Sequence, residues 1–457
     1  MNLFTKTITS LVTAPITQNI ALIRISGSQT YPIITQIFDR PLPEYLQKKP
    51  QLIFGKIINS QKEIIDEVLL LCFYRPRSFT GEDVVEISCH GNLLIVNQII
   101  QLILEKGAEL AQPGEFTKQA FFNHKLNLVQ AEAVNDLIQA PSLAGTKLAL
   151  HNLDSTTQTE LEDLEKKLVD IITNLLVNID YPEYDGAQYL TGQIVLPRLT
   201  KLVDKLQLIQ QSGQKGQVYQ SGLKIAIIGK PNVGKSTLLN VLLCEEKAIV
   251  SPVAGTTRDI VEARYTLKGI PLTLLDTAGI HVTIDLVEQI GVKRSYQALE
   301  KADLIFFCVD NTDTWSTEEE NIYQKIKNRN YLLIINKMDE PSSFCPPVFI
   351  SSEKICRISA KEHKLTELEN KIEQLFASNL ISDLPTYPVL SSGWQQAKLT
   401  QLIQQLTSIT EALKKKVPLD AICSDLEIGY KLFRELSGKE YQEDLLEIVF
   451  SRFCLGK

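Results

Sequence analysis

Short apolar runs separated by Gly, Pro and polar turns mark roughly the first 120 residues: IALIRIS (20–26), LIFGKII (52–58), EVLLLCFY (67–74) and VVEIS (84–88). Each has the length and β-branched character of a strand. NLLIVNQIIQLILEKG (92–107) changes period, placing apolar residues at helical spacing and ending in glycine. This part reads as an α+β module. From about 125 to 215 the pattern lengthens into amphipathic stretches such as TELEDLEKKLVDIITNLLVNI (159–179), which suit a helix bundle. Residues 222 to about 378 return to short buried runs alternating with helices: LKIAIIG, LTLLD, LIFFCVD, YLLIIN, VFISS and KICRIS. That alternation predicts a mostly parallel α/β sheet. The remainder, to residue 457, is helical again. The economical arrangement is an α/β domain inserted into a helical domain, with bounds near 1–122, 123–219, 220–378 and 379–457. The polar, glycine-bearing QQSGQKGQVYQSG (210–222) is the expected hinge.

Composition narrows the picture. A net charge of −7 argues against a broad nucleic-acid coat, so RNA contact needs a local basic patch. Eight cysteines, at 72, 89, 244, 308, 345, 356, 423 and 454, form no CxxC pair and read as reduced thiols. No apolar run approaches the roughly 18 residues that a membrane helix requires, and the start is too polar for a signal peptide. A cytoplasmic location without membrane contact is expected.

The candidate chemistry sits in the α/β segment. IAIIGKPNVGKST gives a strand, then Gly229-x-x-x-x-Gly234-Lys235-Ser236, then a helix. Glycines let backbone N–H groups close around phosphates at the helix N-terminus. Asn232, Val233 and Thr237 belong to this loop, Lys235 adds charge, and Ser236 offers a hydroxyl to Mg²⁺. Asp276, Thr277, Ala278 and Gly279 (DTAG) follow a second strand, with the carboxylate suited to the Mg²⁺ shell and the Gly279 amide to a γ-phosphate. Asn336, Lys337 and Asp339 (NKMD) end a third strand, and Ser359, Ala360 and Lys361 (SAK) a fourth. Ligands of open α/β sheets bind at such carboxyl edges. Asp339 can accept from the ring N–H and 2-amino group of guanine, donors that adenine lacks, so the nucleotide expected is GTP. Between these motifs lies a loop with Ser251, Pro252, Val253, Ala254, Gly255, Thr256 and Thr257; Thr257 is the expected switch threonine, closing on Mg²⁺.

The P-loop, GTTRD, DTAG, NKMD and SAK together resemble the Era/TrmE class of GTPases. SFTGEDVVEISCHGN (78–92), GEFTKQAFFNHKLNLVQAEAVNDLI (114–138) and FSRFCLGK (450–457) narrow the resemblance to the tRNA modification GTPase family MnmE/TrmE, over essentially the whole chain. The resemblance implies an N-terminal tetrahydrofolate-binding and dimerisation domain, a helical domain and an inserted Ras-like P-loop GTPase domain. It also implies a homodimer that forms a heterotetramer with the FAD-dependent partner MnmG (GidA). The implied reaction installs a carboxymethylaminomethyl-type group at carbon five of the wobble uridine of certain tRNAs, using a tetrahydrofolate one-carbon unit. Arg24, Glu82, Lys125 and Lys457 match the family's folate positions. Cations suit a glutamyl tail and a carboxylate suits a pterin N–H edge. On the residues alone, each also reads as a solvated surface charge. TAPITQNIALIRISG (13–27) lacks the family's usual glycine-rich TPPGxGG stretch, so this loop's backbone must differ.

Ile280 follows DTAG where Ras-like GTPases carry a glutamine that orients the attacking water. Isoleucine cannot do that. The resemblance implies two replacements: K⁺ held by Asn232, Ser251, the Val253 carbonyl and Thr256, and Glu288 orienting water indirectly. Cys454 in its apolar surroundings reads as packing, and the resemblance places it facing the folate site with a possible direct chemical role. Two other readings stay open: an Era-like GTPase switch for ribosome assembly, and a relative that has lost folate chemistry.

Overall fold

The computed structural model describes residues 6–42, 49–180, 194–244, 263–267, 270–275, 302–376, 384–415, 417–440, 443–451, 453 and 456. Two compact units emerge. One combines Met1–Asn135, Asp163–Leu199 and Gln404–Lys457; the other combines Asp136–Glu162 and Thr200–Ile403.

The first unit is built on six strands, β1 (Ile8–Leu11), β2 (Ile20–Ser26), β3 (Gln51–Ile58), β4 (Ile64–Phe73), β5 (Val84–His90) and β6 (Glu109–Leu110). Their order is β3-β4-β5-β2-β1-β6, antiparallel except for the β1–β6 pair. Side chains alternate across the pleat. Ala21, Ile23 and Ile25 of β2 therefore share a face with Val85, Ile87 and Cys89 of β5. Helices Thr30–Ile37 and Leu93–Glu105 supply the apolar residues that cover that face, including Ile33, Ile34, Val96, Ile99 and Ile103. Asn92 starts the second helix, its side chain accepting from the Leu94 amide at 2.9 Å. The opposite face leaves Leu52, Phe54 and Leu69 exposed. The chain terminus returns to this unit: Phe450 of helix Glu443–Phe450 lies against Phe121, and Gly456 reaches β1 and β2. The strands β1 and β6 were not among the runs expected from sequence, being short and polar (ITSL, EL).

The second unit carries β7 (Leu223–Ile228), β8 (Ala263–Leu267), β9 (Ile270–Leu275), β10 (Leu304–Asp310), β11 (Tyr331–Asn336) and β12 (Ile355–Arg357). The order is β12-β11-β10-β7-β9-β8, all parallel except β8 on β9. Both faces are covered, which explains the unbroken apolar runs. Phe306 and Cys308 enter one core, and Ile305, Phe307 and Val309 the other. VFISS, expected as a strand, is a turn leading into a 3₁₀ helix at Ser352–Lys354. It follows two prolines, which cannot donate to a ladder.

The expected hinge at 210–222 is not a loop. Helix Leu196–Ser221 runs through it and stops at Gly222, with φ of 72°. A Cβ on Gly213 would overlap the Leu390 carbonyl oxygen, and one on Gly216 would stand 2.6 Å from Val389 Cγ1. These glycines admit close packing of the segment around Val389, so they mark contact and not flexibility. Asn152 fastens the same segment, donating to the Val389 carbonyl at 2.9 Å and accepting from its amide at 2.8 Å. Nearby, Gln220 donates to the Asp136 carboxylate at 3.0 Å, and Ser391 donates to Gln220. Asp136 borders a polar cavity of about 180 Å³. Burial pushes its carboxyl up to about 6.

Candidate nucleotide-binding site

The turn from β7 into helix Lys235–Cys244 carries three residues in the left-handed region: Gly229 (φ 149°), Asn232 (64°) and Gly234 (92°). Gly229 has no alternative, because a Cβ there would overlap the Cys308 carbonyl oxygen of β10. Gly234 is equally constrained, since a Cβ would overlap Asn336 Nδ2. Lys235 Nζ donates to the Gly229 carbonyl at 2.8 Å and to the Lys230 carbonyl. Burial holds this amine below the usual lysine range. A phosphate placed on the helix N-terminus would restore its proton affinity. Ser236 and Thr237 are exposed on the first turn, and Val233 is buried.

Asn336 joins three sequence motifs. It ends β11, is 3% exposed, donates from Nδ2 to the Val233 carbonyl at 2.9 Å, and accepts at Oδ1 from the Ala360 amide at 3.0 Å. One side chain thus ties the P-loop to NKMD and SAK. Ser359 donates to Asp339 at 2.6 Å, and this hydroxyl, aided by Lys361 at 4.0 Å, holds the carboxyl below its usual range. Lys337, with φ of 64°, is fixed by an ion pair with Asp310 at 2.5 Å. Burial works against the charge on Asp310, but Lys337 and Thr312 outweigh it and hold its carboxyl below the usual range. Asp310 was not a candidate from sequence; a carboxylate ending an apolar strand at the sheet's carboxyl edge was the available signal. Lys230 is likewise held, by Glu319 at 2.9 Å and Asp313 at 3.3 Å.

The expected ligands Ser251, Pro252, Val253, Ala254, Gly255, Thr256, Thr257, Asp276, Thr277, Ala278 and Gly279 lie outside the described residues. So do Ile280, Glu288, Cys454 and Lys457. Of the residues expected to hold Mg²⁺ or K⁺, Ser236 and Asn232 are described.

In the other unit, three folate candidates fall on β2, the turn before β5, and the turn after helix Glu115–Phe122. Arg24 is buried and already engaged: Nε donates to Glu86 Oε1 at 2.8 Å, one terminal nitrogen donates to the Gly456 carbonyl at 3.1 Å, and Phe79 and Phe116 flank it. Glu82 accepts from Ser26 Oγ at 2.9 Å; burial pushes its carboxyl up despite that bond. Lys125 is exposed, donates to the Pro76 carbonyl at 3.1 Å, and passes beside Gly81. Asn123, donating to the Thr80 carbonyl at 2.8 Å, fixes this turn and gave no sequence signal of its own.

Among the described residues no helix is long and apolar enough to cross a membrane, and no group of three His, Cys, Asp or Glu could hold a metal. Cysteines 72, 89, 308, 345 and 356 form no disulfide.

Two family models match: one described as GTP-binding protein TrmE N-terminus over residues 7–125, and one described as MnmE helical domain over 128–454. The chain is 38% identical to the tRNA modification GTPase MnmE of Lactiplantibacillus plantarum over 99% of its own length and 98% of that protein. It is 39% identical to the MnmE of Lysinibacillus sphaericus over 96% of both chains. Among solved structures, Aquifex aeolicus Era bound to GDP and aluminium fluoride is 32% identical, covering 34% of this chain and 55% of that one, with a TM-score of 0.24.

Proposed function

The chain belongs to the MnmE/TrmE family of tRNA modification GTPases, and on that footing we propose a division of labour between its parts. It is a GTP-hydrolysing tRNA modification enzyme. The observation that carries the nucleotide half is the Asn336 bridge, which brings a phosphate loop, a base-reading carboxylate and SAK to one sheet edge. GTP lies with its phosphates on the 229–236 turn and its base against Asp339. Ser236 and Thr257 would hold Mg²⁺, which would supply positive charge to the triphosphate.

Lys235 neutralises phosphate charge, exchanging its carbonyl partners for phosphate oxygens. Asn232 extends from a left-handed turn beside the phosphates, which suits it to the K⁺ role together with Ser251, Val253 and Thr256. Glu288 orients the attacking water indirectly, since Ile280 cannot.

The folate half belongs to 1–122 with the terminal CLGK, flanked by a helical domain of 123–219 and 379–457 around a GTPase domain of 220–378. Glu82, held uncharged more readily by burial, can present an O–H or an acceptor to a pterin edge. Lys125 and Lys457 suit the glutamyl tail. Arg24 acts by holding the Gly456 carbonyl beside β2. Its own guanidinium is paired with Glu86 at 2.8 Å. The exposed strip of Leu52, Phe54 and Leu69 supports a homodimer through the N-terminal sheet. With MnmG the dimer acts in the cytoplasm on the wobble uridine of tRNA, taking a one-carbon unit from tetrahydrofolate.

The test is Asp339→Asn in the full chain, reconstituted with MnmG, tRNA, a tetrahydrofolate one-carbon donor and Mg²⁺/K⁺. An amide donates to the 2-oxo group of xanthine where a carboxylate accepted from the 2-amino group of guanine. Wobble modification, read by mass analysis of the nucleosides, should then require XTP in place of GTP. Full modification with GTP in the variant would overturn the base assignment, and hydrolysis without any modification in the wild type would favour a switch without modification chemistry.

A further inference from the structure

Asn311 follows directly on β10, is 2% exposed, and spends every polar atom it has on one neighbouring segment. Its amide donates to the Asn336 carbonyl at 3.0 Å. Its Nδ2 donates to the Glu340 carbonyl at 3.2 Å, and its Oδ1 accepts from Ser342 Oγ at 2.8 Å. Its carbonyl accepts from the Ser343 and Phe344 amides, each at 3.0 Å. All five bonds land between residues 336 and 344, on both sides of Asp339. Phe344 anchors the far end of that segment in the core beside Val309 and Ile335.

We propose that Asn311 is a positioning residue for guanine selectivity, holding the loop that presents Asp339 to the base. This rests on the reading of Asp339 as the base-binding carboxylate. Recognition of guanine over hypoxanthine needs both carboxylate oxygens at fixed positions, one for the ring N–H and one for the 2-amino group. A carboxylate free to shift meets the second donor with poorer distance and angle, so the 2-amino group adds less to binding. Ser359 restrains Asp339 from the SAK side, and Asn311 restrains the backbone on either side of it. Asp310, its neighbour, pins Lys337 in the same loop. The dipeptide at the end of β10 therefore fixes both the lysine and the aspartate of NKMD.

Asn311→Ala removes two side-chain bonds and leaves the Glu340 carbonyl without its donor. Each bond is worth a factor of about five, so the GDP-to-IDP affinity ratio should fall roughly five- to tenfold, with Ser359 retaining the rest. The loss should enter KM and Kd rather than kcat. Ser342→Ala, on an exposed loop position, removes one of the two bonds and should lower the same ratio about two- to threefold. The measurement is competition of GDP, IDP and XDP against a fluorescent guanine nucleotide on the full-length chain, with Asp339→Asn alongside. An equal loss of GDP and IDP affinity in Asn311→Ala, or an unchanged ratio, overturns the proposal; if Asn311→Ala does not fold, an unchanged ratio in Ser342→Ala does so. Failure of Asp339→Asn to gain XDP binding would instead strike at the base-site reading itself.

Discussion

Asn336→Asp changes one atom type at the point where three motifs meet. The replacement keeps an acceptor for the Ala360 amide, 3.0 Å away, but turns a carboxylate oxygen toward the Val233 carbonyl at 2.9 Å. The donated bond, worth about 1 kcal/mol net, is lost, and Val233 is left with an unpaired carbonyl at a cost of about 1–3 kcal/mol. At 3% exposure, water cannot easily compensate. The sum is roughly 3 kcal/mol, before repulsion between the two oxygens is counted. The nucleotide-free loop can relax by releasing residue 336, so binding must restore the strained arrangement. Guanine nucleotide affinity should then drop about a hundredfold at pH 8.

The pH dependence has a definite sign. Burial against a carbonyl raises the new carboxyl's pKa in the assembled site, and the protonated form can donate to Val233. Affinity relative to wild type should therefore recover as pH falls toward the raised pKa and worsen as pH rises through it. Fluorescent GDP titration of the full chain between pH 5.5 and 8 measures this, with Asn336→Ala as the comparison that cannot recover. Affinity within threefold of wild type at pH 8, with the fold intact, would refute the bridge as the organiser of the site.

Gly229→Ala should abolish nucleotide binding and lower the melting temperature, because a Cβ overlaps the backbone oxygen of Cys308 at a φ of 149°; near-normal binding would show that β10 and the loop can separate at little cost. Asp136→Asn should stabilise the chain: its carboxyl is raised from 3.8 to about 6, which corresponds to up to about 3 kcal/mol lost by the wild type as pH rises through that window. Thermal melts should show the difference fully above pH 6 and none below about pH 3.8. GTP hydrolysis should run about 10- to 1,000-fold faster in K⁺ than in Na⁺ at matched ionic strength, and Asn232→Ala should erase the difference; equal wild-type rates in the two salts contradict the cation's role.

The nucleotide motifs were legible in the sequence because each is a contiguous run whose chemistry depends on near neighbours. A strand, a glycine-bearing turn and a helix place Lys235 and Ser236 without reference to distant residues, and apolar runs such as LIFFCVD announce strands covered on both faces. What joins those pieces was not legible. The amide of Asn336 meets Val233 and Ala360, and Asn311 braces the loop around Asp339, through contacts that only the parallel order of β7, β10, β11 and β12 creates. The same limit explains two misreadings. Gly213 and Gly216 suggest a hinge by composition, yet serve a helix pressed against Val389 and Leu390. Arg24 looks like a free cation, yet Glu86 across the β2–β5 register and Gly456 at the far end of the chain already hold it. Local pattern fixes which residues can form a strand, turn or helix; which buried polar atoms satisfy one another is decided by what folding brings within 3 Å, and residues hundreds of positions apart carry no mark of it.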